Sequence, residues 1–129
     1  MPKAIKHSVR FLNLVDDAKT RIKEIDAETV IRKRREGRKT LNIIDVREER
    51  EYLLSHIPNA RHISKGVIER DIEKWYKKLD EELILYCGGG YRSALAADTL
   101  QRMGYSNVLS MIGGYRAWKQ NGGDISMDI

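Results

Sequence analysis

The sequence predicts an α/β protein of three layers, α/β/α, with helices on both faces of a mostly parallel sheet of about five strands. Two observations carry this expectation. Apolar runs such as Leu41-Asn42-Ile43-Ile44-Asp45-Val46 and Leu83-Ile84-Leu85-Tyr86 are nearly continuous, as in strands covered on both faces. These runs also alternate with segments of helical spacing, the pattern of β–α–β units. At 129 residues the chain has the length of one domain.

Taken in order, Val9 to Arg21 places Leu12, Val15, Ala18 and Ile22 at helical spacing, an amphipathic leading helix. Ile22 to Ile25 reads as a short edge strand. Asp26 is a good N-cap for a helix from Ala27 to Arg35, which Gly37 can stop. Leu41 to Val46 is the first strong strand, and Arg47 to Leu54 a short charged helix. Ile57-Pro58-Asn59 then forces a turn. Ala60 to Ile63 is a brief strand. A helix from Gly66 to Leu79 carries Val67, Ile68, Ile72, Trp75, Tyr76 and Leu79 on its apolar side. Leu83 to Tyr86 is a buried strand ending at Cys87. Ser93 to Met103 is a helix stopped at Gly104. Asn107 to Met111 is the last strand, followed by Gly113-Gly114 and a short helix over Tyr115, Ala117 and Trp118.

Composition excludes several classes. No apolar stretch approaches the ~20 residues that span a bilayer. Met1 to Arg10 mixes Lys3, Lys6, His7 and Arg10 with isolated apolar residues and lacks the core of a secretory signal. One cysteine forms no internal disulfide, which suits the cytoplasm. The net charge of +5 is unevenly placed: residues 1–40 hold 12 Lys/Arg against 6 Asp/Glu, and the rest of the chain carries −1. The densest run, Arg32 to Lys39, could meet phosphates. It has no interleaved aromatic residues for base stacking, so it reads as cations at a helix C-terminus, and no nucleic-acid or membrane partner is expected.

In doubly wound sheets, ligands sit beyond the carboxyl ends of the strands, where Cys87 and Asp45 both fall. Cys87 opens Cys87-Gly88-Gly89-Gly90-Tyr91-Arg92-Ser93, between a buried strand and a helix start. The glycines let the backbone curl and aim N–H groups at one spot. The helix N-terminus and the Arg92 guanidinium add positive charge. Each feature favours the thiolate, the form of cysteine that attacks. A lone cysteine at a strand end is otherwise a small buried hydrophobe, a reading the glycine run and arginine argue against.

These residues resemble the active-site loop of the rhodanese family, Cys-x-x-Gly-x-Arg-Ser. Asp45-Val46-Arg47-Glu48, Glu51-Tyr52, the turn Ser55-His56-Ile57-Pro58-Asn59-Ala60 and Gly113-Gly114 with Trp118 resemble further family motifs, in order and spacing, from about Ile25 to Gly122. Ser55 and Asn59 depart from the turn glycines, and Asn tolerates positive φ. The resemblance implies a catalytic domain over 22–123, with a helical extension over 1–21 and a short tail over 124–129. It implies a sulfurtransferase in which Cys87 takes a sulfane sulfur from a donor such as thiosulfate and yields it to a thiol or cyanide. In that role the amides of Gly88, Gly89, Gly90, Tyr91, Arg92 and Ser93 would cradle the persulfide. Asp45 would orient the region through a charged hydrogen bond, and Arg47 would pair locally, with Glu51 as a candidate.

With one cysteine the sulfur acceptor must be external, a small molecule, an acceptor protein or another subunit. No metal or cofactor is expected, since His7 and His62 lack ligand-spaced companions. His56 reads as a turn-stabilising donor or acceptor, and Trp75, Tyr76 and Trp118 as packing. Lys65, Glu69 and Arg70 are candidates for the pocket rim or for a solvated helix face. Two alternatives stand beside the sulfurtransferase. Cysteine phosphatases and arsenate reductases use a similar loop, but with five residues between Cys and Arg where this chain has four, Gly88 to Tyr91. A sulfur-carrier or docking domain would use the same persulfide.

Overall fold

A computed structural model describes residues 7–37 and 39–127. Lys3, Lys6, Arg38 of the basic run and the last two residues of the tail lie outside the described residues. The elements are α1 (Val9–Lys19), β1 (Lys23–Asp26), α2 (Ala27–Glu36), β2 (Ile43–Asp45), α3 (Glu49–Leu54), β3 (Arg61–His62), α4 (Ile68–Trp75), β4 (Leu83–Tyr86), α5 (Tyr91–Arg102), β5 (Val108–Ile112) and α6 (Gly114–Gln120). The five strands form one sheet in the order β1-β5-β4-β2-β3, every pair parallel. This is the three-layer α/β/α arrangement expected from the alternation of strands and helices.

Side-chain alternation along the strands sorts the core into two halves. Ile44, Val46, Leu83, Leu85, Cys87 and Val108 face α4 and α5, where Ile68, Ile72, Ala96, Ala97 and Leu100 meet them. Ile43, Ile84, Tyr86 and Met111 face α2 and α6, against Val30, Ile31, Tyr115 and Trp118. Helix α1 packs on α5 with Val15 and Ala18 buried. Arg21, just after it, clips Asp98 of α5 through Nε and Nη2 at 3.0 and 2.8 Å.

Local signals behave as their chemistry requires. Asp26 accepts the Thr29 N–H at 2.7 Å and caps α2. Gly37 ends the helix in the left-handed region, at φ 64°. The basic run closes α2, with Lys33, Arg34 and Arg35 in the last turn. Arg34 donates to the Pro58 carbonyl, ahead of β3, so this basic end lies at the amino ends of the strands, away from Cys87. Asn59 takes φ 65° in the turn.

Several boundaries differ from expectation for identifiable reasons. The first strand starts at Lys23, and Ile22 instead packs onto the α4–α5 core. Strand β2 is limited to 43–45, although the Val46 N–H still reaches the Tyr86 carbonyl at 2.9 Å. Helix α3 begins at Glu49, because the Arg47 N–H is taken by Asp45 Oδ1 at 2.9 Å and Glu48 and Glu51 form a capping box. The helix expected over 66–79 is a 3₁₀ turn over Lys65–Val67 and then α4, ending at Trp75. Tyr76 leaves it in extended conformation and its carbonyl accepts the Tyr105 hydroxyl at 2.6 Å. As a result Trp75 and Leu79 are 55% and 49% exposed rather than packed, and the Arg61 guanidinium covers the Trp75 ring at 3.9 Å. The tail is tied down through an antiparallel bridge between His56 and Ser126. Among the described residues no helix is long and apolar enough to cross a membrane.

Candidate active site

Strand β4 delivers Cys87 to the carboxyl edge of the sheet with its side chain on the α5 face, 1% exposed. Helix α5 starts at Tyr91, two residues earlier than the polar spacing suggests, because Gly90 supplies a left-handed N-cap at φ 96°. Gly90 is the one glycine of the three in this conformation. Its N–H points at Cys87 Sγ, N to S 3.1 Å, and the Ser93 N–H follows at 3.4 Å. Tyr91, Arg92 and Ser93 form the first turn of α5, whose N–H groups have no intrahelical acceptor. Ser93 Oγ lies 3.6 Å from Sγ and 2.8 Å from Ser110 Oγ of β5, both serines being fully buried. The sulfur therefore sits where backbone dipoles and a hydroxyl converge, a setting that stabilises negative charge.

A second glycine pair holds this loop in shape. The N–H groups of Tyr115 and Arg116, at the start of α6, donate to the Cys87 and Gly88 carbonyls at 2.7 and 3.2 Å. This turns those carbonyls away from the sulfur. Gly114 must be glycine for the approach: a Cβ there would lie 2.3 Å from the Cys87 carbonyl oxygen, and its φ is +54°.

Arg92 does not stand free beside the sulfur. Its Nη1 and Nη2 bind Glu51 Oε2 and Oε1 at 2.7 and 3.0 Å, a bidentate pair. That contact, with the Glu48 N–H as a lesser donor, lowers the Glu51 pKa to about 2 against desolvation, which pushes the other way. The Arg92 guanidinium is held protonated even more firmly than usual, first by Glu51 and further by the neighbouring Cys87.

Arg47 pairs with Asp45 rather than with Glu51. Its Nε and Nη2 reach the Asp45 carboxylate at 3.1 and 2.9 Å, and Nη2 also donates to the Ser55 carbonyl at 2.7 Å. Asp45 accepts the Tyr86 hydroxyl at 2.6 Å, and that oxygen accepts the Ile57 N–H at 3.1 Å. Burial first, then the adjacent carboxylate, raises the Tyr86 phenol far above its ordinary value and keeps it a donor. Asp45 and Tyr86 lie on the α6 face of the sheet, opposite the Cys87 side chain. Asp45 thus braces the ends of β2 and β4 and does not face the sulfur.

His56 Nδ1 meets the Tyr52 carbonyl at 2.9 Å, and its ring stacks on Tyr52 at 3.9 Å between centroids. Of the three rim candidates, Lys65 lines a cavity beside the loop; Glu69 is exposed and Arg70 pairs with Asp71. Among the described residues no group of three or more His, Cys, Asp or Glu is placed to hold a metal.

Glu51 enters the site through Arg92, where the sequence offered it only as a partner for Arg47. Two further contributors, Ser110 and Phe11, escaped sequence reasoning. Ser110 carries a signal, being a hydroxyl at an inward position of an apolar strand. Phe11, whose ring lies 6.2 Å from that of Tyr91, carries none, because only the packing of α1 on α5 brings it there.

The putative sulfur carrier protein YrkF of Bacillus subtilis is 40% identical over 81 residues, which is 61% of this chain and 42% of that protein's length. The thiosulfate sulfurtransferase GlpE of Coxiella burnetii is 33% identical over 98 residues, covering 76% of this chain and 85% of that one. A solved structure from Rhodopseudomonas palustris, of unknown function and described as a possible tyrosine phosphatase, superposes with a TM-score of 0.78 at 30% identity, covering 98% of this chain and 99% of that one. The Rhodanese-like domain family itself matches residues 26–121, from the N-cap of α2 to the end of α6, and the chain belongs to that family.

Proposed function

We propose that this protein is a sulfurtransferase that carries a sulfane sulfur as a persulfide on Cys87. The observation behind this reading is the convergence of the Gly90 and Ser93 N–H groups on Sγ at the N-terminus of α5. In the first half-reaction the Cys87 thiolate attacks the outer sulfur of thiosulfate. A Cys87 S–S bond forms, and sulfite leaves with the electron pair of the broken bond. The new terminal sulfur carries the negative charge and lies about 2 Å further out, toward the first-turn amides of α5. In the second half-reaction an acceptor, cyanide or a thiolate, takes that sulfur and the bonding pair returns to Cys87. With one cysteine in the chain the acceptor is external, and an acceptor protein serves as well as a small thiol. The lone thiol also fits a reducing compartment, and we assign the protein to the cytoplasm on that ground.

The likeness to a possible tyrosine phosphatase makes phosphate-ester hydrolysis the competing reading. One feature speaks against it: four residues separate Cys87 from Arg92, a smaller ring of amides than five would give.

The test is to incubate the protein with thiosulfate and look by mass spectrometry for the gain of one sulfur atom on Cys87. The adduct is expected in the parent, absent in Cys87→Ser, and discharged by cyanide as thiocyanate. No adduct, with p-nitrophenyl phosphate hydrolysed instead, overturns the reading.

A further inference from the structure

The nucleophile loop has few side chains of its own to hold it. Neither Gly88 nor Gly89 has a positive φ, so backbone conformation does not call for glycine at either, and the run leaves the chain unusually free. Yet the Gly90 and Ser93 N–H groups stand on Cys87 Sγ at 3.1 and 3.4 Å. The order of the loop therefore comes from what packs against it. On one side, the N–H groups of Tyr115 and Arg116 hold the Cys87 and Gly88 carbonyls. Gly89 is supported differently.

A Cβ at Gly89 would lie 3.4 and 3.5 Å from Tyr91 Cε2 and Cδ2, so the tyrosine ring fills the place a side chain would take. That ring is gripped in turn by the leading helix. His7 meets it edge-on at 4.7 Å between centroids, and Phe11 lies 6.2 Å from it and 5.1 Å from His7. Lys19 Nζ stands over the same ring, 5.7 Å from its centroid. Helix α1 is itself fixed to α5: Val15 and Ala18 are buried, Arg21 pairs with Asp98, and Gln101 Nε2 donates to the Arg21 carbonyl at 3.0 Å. The family match begins at residue 26, so His7, Phe11 and Lys19 all come from outside the matched segment.

We propose that α1 is a positioning element for the reaction: with His7 before it, Phe11 clamps the Tyr91 ring over Gly89 and thereby holds the Gly90 and Ser93 amides on the sulfur. The chemical purpose of the clamp rests on the sulfurtransferase reading above. The effect reaches the sulfur through Tyr91, which lies between the two donating residues in the chain. What the clamp supplies is preorganisation, since donors already in place need no ordering as charge develops on the outer sulfur. A shift of about 1 Å at a reacting centre can cost about a hundredfold in rate, so a partial loosening of a glycine loop is felt in transfer while Cys87 and Arg92 stay intact.

The test follows amide hydrogen exchange of the full chain by NMR, alongside transfer of sulfur from thiosulfate to cyanide. In Phe11→Ala and Tyr91→Ala the Gly90 amide is expected to exchange about tenfold faster than in the parent, while Ile84 and Leu85 of β4 keep their protection. In both variants kcat and kcat/KM for thiosulfate are expected to fall together by about tenfold, the mark of donors lost from the transition state rather than from binding. Phe11→Leu and Tyr91→Phe, which keep the apolar bulk or the ring, are expected to hold both readouts within about twofold of the parent. Gly90 exchange that neither alanine variant changes overturns the proposal. So does a loss of protection shared equally by β4, which is general destabilisation. Tyr91→Ala decides the matter if Phe11→Ala does not fold, because it leaves Val15 and Ala18 of α1 untouched. A parent that yields no thiocyanate sinks the sulfurtransferase reading, and the exchange rates still judge the clamp.

Discussion

At the carboxyl edge of the sheet, the two faces hold their buried polar groups in opposite ways. On the α5 face, Cys87 Sγ is met by the backbone N–H groups of Gly90 and Ser93. On the α6 face, the Asp45 carboxylate is met mainly by side chains, the Arg47 guanidinium and the Tyr86 hydroxyl, with the Arg47 N–H as its one backbone donor. Backbone donors are positioned by the path of the chain and stay in place when the atom they face changes its charge or bonding partner. Side-chain donors complete one another, and removing any of them strands the rest. The first arrangement suits a reacting atom, the second a brace. The contrast explains how two motifs that both end parallel strands serve such different ends.

The comparison breaks most visibly on the brace. Asp45→Ala leaves the Arg47 guanidinium buried without its carboxylate, and stability is expected to drop by about 3–5 kcal/mol. Urea unfolding followed by circular dichroism measures this, and a loss below ~1 kcal/mol would show that the cluster braces little. Tyr86→Phe is the milder version. It deletes the hydroxyl between Asp45 and the Ile57 N–H, at an expected cost of about 1–3 kcal/mol in the same assay.

The smallest effect belongs to the Cys87 face. The Arg92–Glu51 pair is about one-third exposed on each side, so it is worth about 1 kcal/mol or less. Glu51 titrates near 2 in the folded protein against an ordinary 4.5. Its contribution is therefore present above pH 4.5 and lost as the pH falls from there toward 2. The parent should lose stability more steeply than Glu51→Gln across that window, as denaturant midpoints taken at successive pH values will report. Parallel curves would remove the pair from the account.

The layered architecture was legible because continuous apolar runs and helix caps are local signals. Asp26, Gly37 and Gly104 mark their helix ends by their own chemistry. The helix over 66–79 was misjudged because spacing alone cannot tell that Tyr76 leaves the helix to give its carbonyl to Tyr105, freeing Trp75 and Leu79 to solvent. In the site, Cys87 and its glycines were readable from the loop itself. The pairing of four charges was not: Asp45, Arg47, Glu51 and Arg92 permit two matchings, and only the face of the sheet each side chain occupies selects between them. Phe11 was beyond reach, since its place depends on how two helices far apart in sequence meet.

The contact between Gly114 and the Cys87 carbonyl has a consequence for the order in which the protein becomes competent. The nucleophile is made early in the chain relative to the segment that shapes its surroundings. Until β5 has added to β4 and the first turn of α6 has docked, the carbonyls of Cys87 and Gly88 have no donors to turn them outward. A nascent chain that ends before α6 thus holds Cys87 in a loop whose carbonyls are not yet turned outward. The loop therefore takes its final shape only after β5 and α6, which follow it in the chain, have docked.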